Sequence, residues 1–375
     1  MSEIALEKPK QDFHIHSLGS SDGRHSIDYL QSRAEEKGVA TFAITDHNNL
    51  TYVRHYLKER NLPLDSAVHH LDGIDFIPGV EVTCRIEDVA NLKGNTVKVH
   101  LIVLCPNLDP NLPFSRLMKV KHSNDIAVDF GLLVNIGKLR GVNISERDVR
   151  MFMDYKKETN KGFSTFGKED IWDFMAMPSP GALKSRKQIY DMSLRVPQAT
   201  RMTITAKEAI ALAHDAGGLV FMAHPQCNLN RTSYPKQAIK SLIESGIDGF
   251  EVYCASTTPE TVKMIEDVCG SSKLSNPILY SGGSDFHRVG QGSELGMMKN
   301  SLLTEDLFNP LNRAIRELQK CREVGSLTNR RYKPVLKEDI ENIVKKYTDF
   351  AKENNVMEDG ERFPIFDKVI EDYSL

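Results

Sequence analysis

The sequence predicts an α/β fold built from repeated strand–helix units, on three observations. Short apolar runs that read as strands alternate with segments whose apolar residues fall at helical spacing. Most of these runs hold or end in a histidine or carboxylate: His14 and His16, Asp46-His47, Glu81, His100, His224, Asp285 and His287. The chain has 375 residues, 40% hydrophobic and 26% charged, which is enough to bury a sizeable core in an ordinary globular composition.

Asp12 to Ser17 is the first strand. Alternate side chains on an extended backbone share a face, so His14 and His16 point the same way. Ser26 opens a helix through Ile27, Leu30 and Ala34 that stops at Gly38. Val39 to Thr45 is a strand ending in Asp46-His47, and Leu50 to Glu59 a helix. Ile74 to Arg85 is the next strand, where Gly79 permits close approach of the backbone beneath Glu81, and Thr96 to Cys105 follows with His100. From about Pro106 the rhythm becomes helical. Arg116 to Leu139 has helical apolar spacing up to Gly141, Ser145-x-x-Asp148 resembles a helix start, and Ile171 to Met175 is a short helix.

The Pro-Ser-Pro-Gly run at 178–181, with Lys184, Arg186 and Lys187, reads as a loop that could lie over a pocket. Thr205-Ala-Lys-Glu208 is a capping box opening a helix to Gly217-Gly218. Leu219 to Ala223 is a strand delivering His224, followed by a helix near Pro235 to Ser245. A strand over Ile247 to Cys254, a helix over Pro259 to Cys269 and a strand over Pro277 to Ser281 lead into Asp285-Phe-His287. Glu251, inside its strand, reads as a supporting group rather than a ligand. Beyond residue 300 the chain is helical and charged, with an apolar face of Leu307, Leu311, Ile315 and Leu318.

The formal net charge of −3 argues against a protein that coats nucleic acid. It hides an asymmetry: residues 111–200 hold 15 Lys or Arg against 10 Asp or Glu, an excess of +5, leaving −8 elsewhere. Such a basic segment suits either an anionic substrate or a solvated helical surface. Cys84, Cys105, Cys227, Cys254, Cys269 and Cys321 include no Cys-x-x-Cys pair, so they read as buried thiols of a reducing compartment. Cys227 lies three residues past His224 and is within reach of the site, with packing the simpler role. No run is long and apolar enough for a membrane span, and the first ten residues lack a signal-peptide core, so a cytoplasmic location without membrane association is expected.

Nine side chains form the candidate metal set: His14, His16, Asp22, His47, Glu81, His100, His224, Asp285 and His287. Mixed imidazole and carboxylate donors suit Mn, Zn or Fe better than Mg, which prefers an oxygen shell, and nine ligands exceed the need of one ion. The ordered set, spanning residues 12 to 290, resembles the PHP (polymerase and histidinol phosphatase) family of metal-dependent phosphoesterases. That resemblance implies a distorted (β/α)7 barrel with its metals at the C-terminal strand ends. The barrel would comprise residues 1–105 and 201–300, with a mainly helical insertion over the active site at 106–200 and a helical C-terminal extension at 301–375. It further implies three divalent ions: the first on His14, His16, Glu81 and Asp285, the second on Glu81, His100 and His224, and the third on Asp22, His47 and His287, with Glu81 bridging.

The expected activity is hydrolysis of a phosphate ester by a hydroxide held on the Glu81-bridged metals. The expected substrate is a nucleotide or a small phosphorylated metabolite, with a nucleoside bisphosphate or the 5′ end of a short single-stranded oligonucleotide favoured by the insertion. The alternatives are a histidinol-phosphate-type phosphatase, a 5′–3′ exonuclease, hydrolysis of a C–N bond, and a non-catalytic partner-binding module. Asp46 is expected to orient an imidazole from behind the ligands. Arg24, His25 and Arg231 are candidates to grip a remote phosphate, with surface roles as the competing reading. Trp172, Phe163 and Phe166 are candidates to stack a base, with packing in the helical core the competing reading.

Overall fold

A parallel pair, β1 (Lys10–Ile15) and β2 (Val39–Ile44), begins the sheet, with α1 (Ile27–Glu36) crossing between them. Ser26 is extended and its side chain accepts the Tyr29 N–H, while Gly38 takes the left-handed conformation beyond the helix at φ +68°. The structure is a computed structural model that describes residues 10–159, 165, 167–176, 191, 201–272, 274, 276–290, 293–298, 301–324 and 336–353. The loop at 178–181 with Lys184, Arg186 and Lys187, the residues Phe163 and Phe166, and the side chain of Trp172 lie outside the described part.

After α2 (Thr51–Glu59), the short β3 (His69–Leu71) runs antiparallel to β4 (Ile74–Ala90), which itself pairs parallel with β2. The expected strand–helix alternation breaks here. β5 (Thr96–Leu104) returns antiparallel to β4 through a tight turn rather than a helix. The cause is legible in Asn91-Leu-Lys-Gly94-Asn95: the Asn91 side chain accepts the N–H groups of Lys93 and Asn95, and Gly94 takes φ +81°. β6 (Leu219–Met222) is antiparallel to β5, and β7 (Gly249–Cys254) and β8 (Leu279–Gly283) continue parallel to it. β5 is therefore the one reversed strand in the order β1-β2-β4-β5-β6-β7-β8. The ring closes where the Asp285 N–H donates to His14 O at 2.9 Å and the His16 N–H donates to Phe286 O at 2.9 Å.

Alternation along the strands separates two apolar layers. Phe42, Ile44, Val80, Val82, Phe250 and Val252 pack with the surrounding helices through Ile27, Leu30, Val53, Leu57, Ile239 and Ile265. Phe13, Ala43, Ile77, Leu104, Phe221 and Leu279 join a second cluster with Phe308, Leu311, Ile315 and Leu318. The latter belong to a 3₁₀ turn (Glu305–Phe308) and a following helix (Asn309–Glu323), which close the end of the barrel where β6 and β8 begin. Arg322 fixes this floor by donating to the carbonyls of Asp65, Cys105 and Gly217. The segment past residue 301 thus completes the barrel core, and the Gln11 N–H donates to Leu303 O at 2.7 Å.

Between β5 and β6 the described residues include the helices Pro113–Leu139, Glu146–Thr159 and Lys168–Ala176, where helical spacing predicted an insertion. Phe130, Leu133, Ile136, Ile144, Phe152 and Ile171 give them a small core of their own. The Thr205–Glu208 capping box is present in both directions at the start of the Ala206–Asp215 helix. Glu208 also binds Lys346 and Tyr347 of the Lys337–Glu353 helix. Among the described residues no helix is long and apolar enough to cross a membrane.

Candidate metal centre

β1 ends with His14 and His16 fully buried, and their Nε2 atoms face each other at 3.1 Å. The Nδ1 of His14 meets Glu251 Oε1 at 2.9 Å, and the Nδ1 of His16 meets Ser20 Oγ at 3.0 Å. With those hydrogen bonds donated from Nδ1, each Nε2 presents a lone pair to the space between the rings. β8 must come close for Asp285 to reach the same space. A Cβ on Gly283 would meet the Cβ of His14 at 2.2 Å and its N at 2.6 Å, so only glycine fits. Asp285 and His224 both adopt left-handed backbone conformations, at φ +53° and +27°, which non-glycine residues rarely accept outside functional sites.

The first group places two carboxylates against the paired imidazoles. His14 Nε2 lies 3.5 Å from Glu81 Oε2 and 3.3 Å from Asp285 Oδ1, and His16 Nε2 lies 3.3 Å from each. With metal–ligand bonds near 2.0–2.1 Å, the edge of a tetrahedron is about 3.3 Å. Glu81 divides its oxygens: Oε1 faces His100 Nδ1 at 2.7 Å and His224 Nε2 at 2.9 Å, while Oε2 turns to His14, His16 and His47. Beyond it, Asp22 Oδ2 is 3.3 Å from His47 Nε2 and 3.5 Å from His287 Nε2. All nine side chains singled out in the sequence are therefore brought together.

The structure also draws connections that the expected grouping kept apart. His47 faces Asp22 through Nε2 and Glu81 through Nδ1, 2.8 Å away. His16 comes within range of the Asp22, His47 and His287 atoms as well as those of His14 and Asp285.

Two observations test the fit to cations. The Glu81 Oε2 and the His47 Nδ1 are buried and close, yet neither has a hydrogen-bond partner, and the Asp22 Oδ1, His100 Nε2 and His224 Nδ1 are orphaned too. Unpaired buried donors and acceptors are costly, and divalent ions would satisfy such a set of nitrogens and carboxylate oxygens. The charge balance agrees. Burial opposes charge on His14 and His47, but Glu251 and Asp285 around the first and Glu81 and Asp22 around the second lift both well above the ordinary histidine range. Burial likewise opposes the Glu81 and Asp22 carboxylates, yet the neighbouring imidazoles hold both well below the usual range. The clusters are consistent with a polynuclear metal site.

Asp46 does not hydrogen-bond to the His47 ring beside it in sequence. It accepts from the Ser17 N–H at 2.7 Å and the Ser17 hydroxyl at 2.5 Å; burial raises its carboxyl above the usual range, and the bonds from Ser17 and Ser20 offset only part of that rise. Because Ser20 also contacts His16 Nδ1, Asp46 steadies His16 through the Ser17–Ser20 turn. The reason is directional: consecutive residues at a strand end diverge, so Asp46 and His47 cannot share one target.

A cleft of 460 Å³ opens beside Asp22, His47 and His100, a size suited to a small ligand. Thr83, Arg85, Lys98, Lys121 and Arg201 are among its lining residues. Lys121 bonds to Asp125 at 2.6 Å, and Arg201 bonds to Asp125 at 3.2 Å and to Asp129. Asn48, next to His47, donates to Asp125 at 3.0 Å and accepts the Thr83 N–H at 2.8 Å, tying the insertion to the ligand loops. The candidates Arg24, His25 and Arg231 do not line this cleft. Arg24 binds Asp173 at 2.8 Å, His25 stacks on Tyr29 at 4.3 Å, and Arg231 donates to Lys98 O and Asn228 Oδ1, each at 3.3 Å. Cys227 is exposed and Cys321 half-buried, so only four of the six thiols are buried as expected.

Residues 12–141, which hold the first six of the nine side chains, match the PHP domain family. These residues are a PHP domain. Among curated proteins none matches the chain. Two of the solved structures that it resembles show the extent of the likeness. One, from Bifidobacterium adolescentis, is named for an inferred metal-dependent phosphoesterase activity; it is 23% identical over 83% of this chain and 95% of its own, with a TM-score of 0.55. The other is an amidohydrolase from Chromobacterium violaceum, 18% identical over 82% of this chain and 96% of its own, also at 0.55. At such identities the likeness shows the fold alone, an α/β barrel.

Sequence reasoning passed over two supports of the site, Ser20 and Asp12. Ser20 holds His16 and accepts the His47 N–H at 2.8 Å. Asp12 accepts the N–H groups of Ser284 and Gly296, at 2.9 and 2.7 Å, and so ties β8 to β1. Glu251, by contrast, was read from the sequence as a supporting group, and its place on His14 and His224 bears this out: a carboxylate inside an apolar strand is a costly placement that signals a buried partner.

Proposed function

We propose that the chain is a metal-dependent phosphoesterase that hydrolyses a phosphate ester of a nucleotide or a small phosphorylated metabolite. The observation that carries this reading is the convergence of nine buried or half-buried imidazoles and carboxylates, with orphaned atoms among them, at the end of a cleft lined by four cationic side chains. In this reading His14, His16, Glu81 and Asp285 hold one ion, Glu81, His100 and His224 a second, and Asp22, His47 and His287 a third. The ions, in the form of Mn, Zn or Fe, would supply neutralisation of phosphoryl charge and a water ionisable at neutral pH.

The protein's own part is to hold these groups in register. Glu251 keeps the His14 proton on Nδ1, and its second oxygen accepts the His224 backbone N–H at 2.7 Å, so one carboxylate holds the His14 ring and the backbone that carries His224. Ser20 does the same for His16. Arg85, Lys98, Lys121 and Arg201 make the approach favourable to an anion.

The test is phosphate release by the full chain loaded with Mn, Zn or Fe, on a nucleoside 3′,5′-bisphosphate, a 5′-phosphorylated oligonucleotide and histidinol phosphate. Turnover of at least one, lost in a folded His14→Ala variant, is expected. A KM that rises steeply with salt on the oligonucleotide alone would mark an exonuclease. Silence with every metal would overturn the reading in favour of a partner-binding module.

A further inference from the structure

The side chains of Asp22 and His47 are 29% and 30% exposed, whereas His14, His16 and Glu81 are fully buried. Packing inside the barrel therefore fixes one part of the centre more completely than the other. Asp22 lies in the loop after β1, and the residues around it meet the helical insertion. A Cβ on Gly167 would come 2.4 Å from Ser21 Oγ and 2.5 Å from its Cβ, so the lead-in to the Lys168–Ala176 helix presses directly on Ser21. Arg24 donates to Asp173 of that helix at 2.8 Å, with Asp170 4.0 Å away. The Arg24 N–H also donates to His287 O at 3.1 Å, so the same residue steadies His287.

His47 is gripped in the same manner through its neighbour. The Asn48 amide donates to Asp125 of the Pro113–Leu139 helix at 3.0 Å, while the Asn48 backbone N–H donates to Glu81 O at 2.9 Å. Both grips are rooted in the interior of the insertion. Asp125 accepts from Lys121 at 2.6 Å, and the fully buried Asp170 accepts the Gly167 N–H at 2.9 Å and the Lys156 ammonium. His14 and His224, by comparison, are supported by Glu251 from β7. Asp22, His47 and His287 are thus each joined to the insertion within two residues or through one hydrogen bond.

We propose that the insertion assembles the Asp22–His47–His287 ion site, with Gly167 and Asn48 as positioning residues that hold Asp22 and His47 at the spacing one ion requires. This rests on the reading of the nine side chains as a three-ion centre, but the dependence on the insertion is a separate property. Asp22 Oδ2 and His47 Nε2, 3.3 Å apart, come from different loops, and the insertion bridges those loops from outside the barrel. Coupling between two events is equal in both directions, so an ion bound there holds the insertion against the barrel in return.

The test is stepwise Zn titration of the metal-stripped full chain against a fluorescent chelator, with hydrogen exchange of the Pro113–Leu139 and Lys168–Ala176 helices followed at each equivalent. Wild type is expected to take up three equivalents, and Asp22→Asn marks the step that belongs to this site. Gly167→Ala, whose methyl group displaces Ser21, and Asn48→Asp, which sets a carboxylate against Asp125, should each weaken that step about 10–100-fold and leave the other two near wild type. Asn48→Asp/Asp125→Asn should recover most of the loss, because one amide and one carboxylate face each other again. Leu318→Ala, which loosens the barrel floor, should leave the step unchanged. In wild type the same equivalent should slow exchange in both helices, and in Gly167→Ala it should slow it less. Wild-type affinity at that step in the folded variants, equal weakening of all three steps, or uptake of that equivalent without slower exchange overturns the inference. Fewer than three equivalents in wild type would sink the three-ion reading and the inference with it, whereas three equivalents with insensitive variants would leave that reading standing and remove the insertion's part.

Discussion

Glu251→Gln isolates the contribution of a single buried carboxylate to the metal centre. Glu251 is 1% exposed, with Oε1 on His14 Nδ1 at 2.9 Å and Oε2 on the His224 N–H at 2.7 Å. Glutamine has nearly the same shape but only one acceptor. If its oxygen stays on the His224 N–H, its amide donates to His14 Nδ1 and forces the ring proton onto Nε2, the atom facing His16 and Asp285. If the amide turns over, its N–H group opposes the His224 N–H and leaves two buried donors against each other.

Either arrangement weakens the centre. Loss of such a supporting partner costs about 10–100-fold in metal affinity, equivalent to about 1.4–2.7 kcal/mol. The assay is competition between the protein and a fluorescent chelator for Zn and Mn, with a urea titration to verify folding. Metal affinity equal to wild type in a folded Glu251→Gln protein would refute the reasoning, because His14 would then not depend on the proton placement inferred here.

Further expectations follow from packing and charge. Gly283→Ala sets a methyl group against the backbone of His14, which cannot move without breaking the β1–β8 closure, so a loss of about 3 kcal/mol or more in urea is expected; a loss under about 1 kcal/mol would show that the two strands can separate. Leu318→Ala opens a cavity in the barrel floor and should cost about 2–5 kcal/mol, read from the urea midpoint at unchanged slope. For Glu208, burial raises the carboxyl pKa, but Lys346, Tyr347 and the Thr205 N–H outweigh it and hold it below the ordinary value of 4.5. Its charge therefore stabilises the fold above that value, and the contribution disappears as pH falls through the lower native pKa. The stability difference between wild type and Glu208→Gln should be largest at about pH 6 and shrink towards about pH 3, and a constant difference would contradict the bonding to the Lys337–Glu353 helix.

The sequence alone carried the identities of the nine converging residues: all but Asp22, which lies in the loop after β1, stand inside an apolar run or close to its end, where burial of an unsupported imidazole or carboxylate is costly. It carried helix boundaries wherever a local device marks them, such as Ser26, the Thr205–Glu208 box and Gly38. These depend on contacts within a few residues. The Asn91–Gly94 turn was equally local, and the hairpin there was missed because strand periodicity does not reveal strand direction.

Tertiary structure decided what depends on distant contacts. Glu251 reaches His14 across 237 positions, Asp12 reaches Gly296 across 284, and the helix carrying Leu318 returns to fill the barrel floor after the last parallel strand. No spacing in the chain encodes those meetings. The same holds for the side chains flanking the site: Arg24 had the right charge beside a ligand motif, but the insertion brings Asp173 to it, while Arg85 and Lys98 became neighbours through the register of β4 and β5. Local patterns determine which residues can do chemistry and which way they face on their own element. The closure of the sheet sets which of them share a space, because that closure fixes positions hundreds of residues apart to within a hydrogen bond.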